Sequence, residues 1–144
     1  MREGLEEKLV KEFPFLEENS EQREEDRIDN LYLAFGCECD DGWYELLREM
    51  FSEIVARYEE AGVPVDLEIL QIKEKFAELR VYYSFKEEST PDKEELRNDV
   101  DKIIEAYENK SRKVCENCGA EGEVRKKGYR MKTLCDQCND EIMK

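Results

Sequence analysis

The sequence predicts an α+β fold: a helix, an antiparallel β-hairpin and a second helix packed as a small domain, followed by a C-terminal ribbon. Three observations predict it. Apolar residues recur at helical spacing from Trp43 to Tyr58, and the apolar period shortens to two over residues 65–72 and 79–85. Four cysteines then stand in two Cys-x-x-Cys pairs near the end.

Taken in order, Leu5, Leu9, Val10 and Phe13 share one face of a first helix that Pro14 stops, because proline has no N–H to continue the ladder. Residues 17–29 are polar and read as loop or solvated helix. Residues 30–38 alternate imperfectly through Leu31, Leu33 and Phe35 and read as a short strand. Asp40 or Asp41 can cap the long helix, which runs from about residue 42 to residue 61 and ends at Gly62, with Pro64 beyond. Trp43, Leu46, Leu47, Met50, Phe51, Ile54, Val55 and Tyr58 give it an apolar stripe wide enough for a main core face. After Pro64, residues 65–72 and 79–85 pair as a hairpin joined near Lys75, Phe76, Ala77 and Glu78, with its apolar face on the long helix. Ser89-Thr90-Pro91-Asp92 starts the next helix: a hydroxyl at the cap, proline in the first turn, acids after it. Leu96, Val100, Ile103, Ile104 and Tyr107 form that helix's buried face, to about Ser111. No linker composition follows, so the helix leads almost directly into the ribbon. The division is an acidic α+β domain over residues 1–112 and a ribbon over 113–144.

Composition bounds what such a chain can do. Its 144 residues allow one ordinary domain with a small appendage. Charged residues (42%) outnumber the hydrophobic ones (40%), so the core is thin, yet the many aromatics argue against disorder. No apolar stretch approaches the ~18 residues of a membrane span. The opening Met1-Arg2-Glu3-Gly4-Leu5-Glu6-Glu7 is acidic where a signal peptide is basic and then apolar. A cytoplasmic protein is predicted.

The absence of histidine removes Cys-His and Ser-His catalysis and every mixed Cys/His metal site. No nucleophile is paired with a base, and no carboxylate spacing singles out an acid and its conjugate partner. A non-enzymatic protein is predicted. Its charge of −15 is uneven: residues 1–60 hold 19 acids against 7 bases, whereas residues 115–144 hold 6 of each. The acidic half repels phosphates and keeps a protein soluble; read as a surface, it suits docking on a basic partner protein.

Cys115-Glu116-Asn117-Cys118 and Cys135-Asp136-Gln137-Cys138 are separated by sixteen residues, within the spacing of a four-cysteine zinc site. Each two-residue gap lets one tight turn present two sulfurs to one ion. Gly119 and Asn139 stand just past the second cysteine of each pair, where such turns want a positive φ. Lys126-Lys127-Gly128 reads as a turn between Val124 and the pair Tyr129 and Met131. A ribbon this short cannot bury enough apolar surface to hold itself together. One structural Zn²⁺ supplies the missing stability, and iron is the alternative ion for four sulfurs. With all four positions thiolate, none is left open for substrate. Cys37-Glu38-Cys39 has a spacing that puts two sulfurs on one side of a strand, and it reads as partly buried structural thiols, with a redox role as the alternative.

In order and spacing these motifs resemble a family of small phage and prophage proteins without assigned chemistry. The resemblance rests on Gly42-Trp43 at a helix start, on Lys73-Glu74-Lys75-Phe76-Ala77-Glu78-Leu79-Arg80 in the hairpin, and on the terminal ribbon, and it spans about residues 35–138. Ala77 stands where the pattern has glycine, which speaks against a tight glycine turn there. The resemblance implies a phage origin rather than a mechanism; together with the uneven charge and the closed metal site it predicts a phage-derived protein that works in the host cytoplasm by protein–protein binding. Its acidic half would mimic nucleic acid to inhibit a host defence or nucleic acid-processing complex. The basic cluster Lys73, Lys75, Phe76 and Arg80 is then either an internal ion-pair partner or a contact surface. The alternative is a nucleic acid-binding or transcription-associated module working through the basic residues Lys110, Arg112, Lys113, Arg125, Lys126, Lys127, Arg130 and Lys132.

Overall fold

Pro14 ends helix α1 (Glu3–Glu12) where the sequence predicts, and the chain tightens into a 3₁₀ turn (Pro14–Glu17) that drives Phe15 and Leu16 into the core. The computed structural model describes residues 1–17 and 30–143; most of the polar segment 17–29 falls outside them. Where a strand is expected over 30–38, the chain forms a short helix α2 (Leu31–Phe35) and only a two-residue strand β1 (Cys37–Glu38). Asn30 decides this: its side-chain oxygen accepts from the Leu33 N–H at 3.0 Å, while its amide donates to the Ile69 carbonyl at 3.1 Å. That double bond caps a helix and pins it to the sheet. Gly36, at φ 67°, then turns the chain into β1.

The long helix α3 (Tyr44–Ala61) is preceded by a 3₁₀ turn (Asp41–Trp43) and ends at Gly62 in the left-handed conformation (φ 69°). Neither Asp40 nor Asp41 caps it as expected. The Asp41 carboxylate instead accepts from the Arg2 N–H at 2.8 Å, and Asp40 pairs with Lys132. The predicted stripe is the centre of the core: Trp43, Leu47, Met50, Phe51, Ile54 and Tyr58 are essentially inaccessible. Phe51 meets the rings of Phe13 and Phe15 at 5.7 and 5.8 Å. Each such side chain, fully buried, contributes about 1.5–3 kcal/mol by removal from water.

Strands β2 (Leu67–Lys75) and β3 (Glu78–Phe85) form the predicted antiparallel hairpin, with Ile72 opposite Val81 and Lys75 opposite Glu78. β1 adds a parallel edge, Cys37 opposite Ile72, making a three-stranded sheet in the order β1-β2-β3. The hairpin closes in a two-residue turn, Phe76-Ala77, with φ of 53° and 65°. A tight turn is therefore present without glycine. It holds because Glu74 accepts from the Ala77 N–H at 2.7 Å and because the Ala77 methyl is fully buried.

Helix α4 (Glu94–Lys110) follows a 3₁₀ turn (Pro91–Lys93), with proline in the first turn as expected. Thr90 precedes that turn, but its hydroxyl bonds to the Asp92 side chain rather than to a helix N–H. Leu96, Val100 and Ile104 of α4 close the core over α3 and β3. A buried network joins the far ends of these elements. Tyr58 donates to Asp66 at 2.6 Å, and Asp66 pairs with Arg97, whose guanidinium lies 4.7 Å from the Phe85 ring centre.

The fold is thus α+β. A 3₁₀ turn (Ser111–Lys113) leads straight into the ribbon, β4 (Glu123–Lys127), β5 (Arg130–Leu134) and helix α5 (Asp136–Ile142), which holds a second, smaller buried cluster of Cys115, Leu134, Cys138 and Met143. Among the described residues no helix is long and apolar enough to cross a membrane.

Candidate metal centre

The β4–β5 hairpin forms because Gly128, at φ 62°, takes the first central position of a two-residue turn and Tyr129 the second, with Lys127 opposite Arg130. Its ladder sets Leu134 and Thr133 beneath the first cysteine turn: the Glu116 N–H donates to the Thr133 carbonyl at 2.9 Å, and the Cys115 N–H to the Ala120 carbonyl at 2.7 Å. Gly119 closes that turn, donating to the Cys115 carbonyl at 2.9 Å with φ 85°, the conformation expected of it.

The second cysteine turn is different from expectation. Asn139 is helical, not left-handed, because Cys135 is itself the N-cap of α5 and its sulfur accepts from the Cys138 N–H at 3.4 Å. The helix start therefore replaces the left-handed residue as the device that aims two sulfurs one way.

The four Sγ atoms of Cys115, Cys118, Cys135 and Cys138 lie within 4.8 Å of one another, and none is in a disulfide. Cys118 and Cys135 are 3.7 Å apart. A tetrahedron with metal–sulfur bonds of ~2.3 Å has edges of about 3.8 Å, so the set fits a metal ion such as zinc. Asn117 donates to the Cys138 sulfur at 3.3 Å, tying the two turns together. Burial pushes the Cys115 thiol up, but the backbone N–H groups of Cys135, Cys118 and Asn117 outweigh it and hold it down at about 7. Four thiols converging on one point, with N–H groups already aimed at them, can bind an ion and leave no position for a substrate.

The ribbon is seated on the helical core through Gly42. The Gly42 N–H donates to the Glu116 carbonyl at 2.7 Å, and a Cβ at position 42 would lie 2.2 Å from the Cys115 carbonyl oxygen. Next to it the Trp43 indole donates to the Val114 carbonyl at 2.9 Å. Glu116, almost fully buried, accepts from the Asp40 N–H at 3.0 Å, and Lys132 bridges Asp40 (2.7 Å) and Glu116 (3.7 Å). Burial raises the Glu116 carboxyl. Sequence reasoning reads Gly42-Trp43 only as a helix start and misses this seat. The signal was a glycine beside a tryptophan where no turn requires one.

Cys37 and Cys39 lie in the main core, far from solvent, and burial pushes the Cys37 thiol up to about 12 and raises Cys39 as well. Of the basic hairpin cluster, Arg80 pairs with the buried Glu78 at 2.8 Å, which Arg112 also approaches at 3.3 Å. Lys73 and Lys75 lie over the rings of Tyr82 and Phe76 at 5.7 and 5.8 Å. Phe76 is 67% exposed.

A protein of Methanocaldococcus jannaschii described only as uncharacterized is 32% identical over 90 residues, 62% of this chain and 42% of that protein. The chain thus spans about two fifths of the length of the curated relative it matches. No family model and no solved structure matches the chain.

Proposed function

We propose that this protein is a non-enzymatic adaptor of the phage and prophage type its motifs resemble. A structural Zn²⁺ on Cys115, Cys118, Cys135 and Cys138 fastens the ribbon, and the acidic helical half docks on a basic surface of a partner protein. The observation that carries the reading is the separation of charge between the two halves. Glu45, Glu49, Glu53, Glu59 and Glu60 all stand on the exposed side of α3. Such a field complements a surface that ordinarily holds nucleic acid, as on a host defence or nucleic acid-processing complex, and occupying it inhibits that complex. The test is affinity capture from bacterial host extract at low and high salt, with Glu59→Lys/Glu60→Lys as control, since lysine is favoured at a helix C-terminus. A partner held at low salt, released by salt and lost in the variant is expected. Recovery of none at low salt contradicts the reading.

A second reading is favoured by the ribbon hairpin, where Lys126, Lys127 and Arg130 surround a fully exposed Tyr129. Here the ribbon binds nucleic acid, and salt-sensitive gel shifts distinguish it.

A further inference from the structure

We propose that the tips of the β2–β3 and β4–β5 hairpins form one rim that binds single-stranded nucleic acid, with Phe76 and Tyr129 as stacking platforms. The proposal rests on the second reading above and adds to it the form of the nucleic acid and the residues that hold it.

Each hairpin ends in a two-residue turn that carries one aromatic residue. At φ 53° a bulky side chain is an outlier, for this place in a hairpin turn favours asparagine, aspartate or glycine. Packing gives no reason for Phe76, whose ring stands largely in solvent. Tyr129 is fully exposed, and among the described residues its hydroxyl has no hydrogen-bond partner. Aromatic side chains held out from a fold, one of them against backbone preference, mark a surface made for contact.

One side-chain contact joins the two hairpins. The Thr133 hydroxyl donates to the Ala77 carbonyl at 2.7 Å, so the turn that carries Phe76 is seated on the β4–β5 hairpin, at the end of its ladder away from Tyr129. Three residues lie between Thr133 and Tyr129, which are about 13 Å apart along the strand.

Charge selects the occupant. The acids of the β2–β3 tip are engaged internally: Glu74 holds the Ala77 N–H, and Glu78 is buried between Arg80 and Arg112. Lys75, Lys126 and Lys127 have no acidic partner among the described residues. Aromatics flanked by unpaired lysines suit a phosphate backbone with unstacked bases; lysine is depleted at protein–protein interfaces. Stacking requires bases that are not already in a duplex, hence a single strand.

The test is fluorescence anisotropy of the full-length, zinc-loaded chain with a labelled oligo-dT of about fifteen nucleotides, the length an extended binding surface accommodates, and with a duplex of equal length. Phe76→Asn and Tyr129→Ser are measured beside the unchanged protein, with thermal melts to show that each folds. Salt-sensitive binding that prefers the single strand is expected, with each substitution weakening it about tenfold. Single-strand and duplex binding that are equal and untouched by both substitutions would leave the ribbon as a nucleic acid binder and overturn the rim. No binding of either oligonucleotide at low salt overturns the second reading and the rim with it.

Discussion

At position 42 the difference between glycine and alanine is one methyl group, and that group has nowhere to go. It would sit 2.2 Å from the Cys115 carbonyl oxygen and 2.4 Å from that of Glu116, both backbone atoms that cannot rotate away. Gly42→Ala therefore undocks the first cysteine turn or strains the helix start, and is expected to cost about 3 kcal/mol in a denaturant titration. A loss under 0.5 kcal/mol, the range of a neutral surface change, would show that the ribbon is not seated there. Phe76 makes the opposite prediction. Left-handed backbone costs a bulky residue about 1 kcal/mol that asparagine largely avoids, so Phe76→Asn is expected to raise the unfolding free energy by about that amount. A destabilised variant would mean that the ring packs where the structure leaves it exposed.

Among the elements, α4 and β3 meet at a partly buried carboxylate. Glu108 accepts from the Val81 N–H at 3.0 Å, and burial raises its carboxyl above the ordinary 4.5 despite that bond. A raised folded-state pKa means that the folded protein takes up the proton first as pH falls. Glu108 thus detracts from stability at neutral pH, and this loss fades as pH drops into the range just above 4.5. Glu108→Gln keeps an acceptor for Val81, so it is expected to be the more stable form at pH 7, with the gap closing on acidification in parallel urea titrations. A gap that widens on acidification would contradict the assignment.

The long elements α3, β2, β3 and α4 are legible in the sequence because each buries one face, and burial writes its period into the apolar residues. Residues 30–38 are not legible in this way. Their outcome depends on Asn30 reaching the Ile69 carbonyl, a contact between residues 39 positions apart. The metal site is legible in its ligands, since spacing alone brings paired thiols together. Asn139 and Gly42 are not, because one depends on where α5 begins and the other on which backbone lies against it.

At the scale of the whole molecule two buried clusters lie side by side, the larger built by helices and sheet and the smaller by the cysteines with Leu134 and Met143. The smaller one contains few apolar groups, and its four converging cysteines can hold a metal ion such as zinc; in small fingers a structural zinc supplies an apparent ~10–16 kcal/mol. The larger core keeps Cys37 and Cys39 out of reach. The six thiols therefore report separately on the two parts, and counting those that react quickly with a chromogenic disulfide reagent, before and after chelation, tests whether a metal holds the ribbon apart from the main core. With zinc bound, none of the six is expected to react quickly; after chelation Cys115, Cys118, Cys135 and Cys138 react, while Cys37 and Cys39 wait for denaturant. Rapid reaction of all six on chelation would show one cooperative unit, and rapid reaction of four with zinc present would show that the cysteines hold no metal.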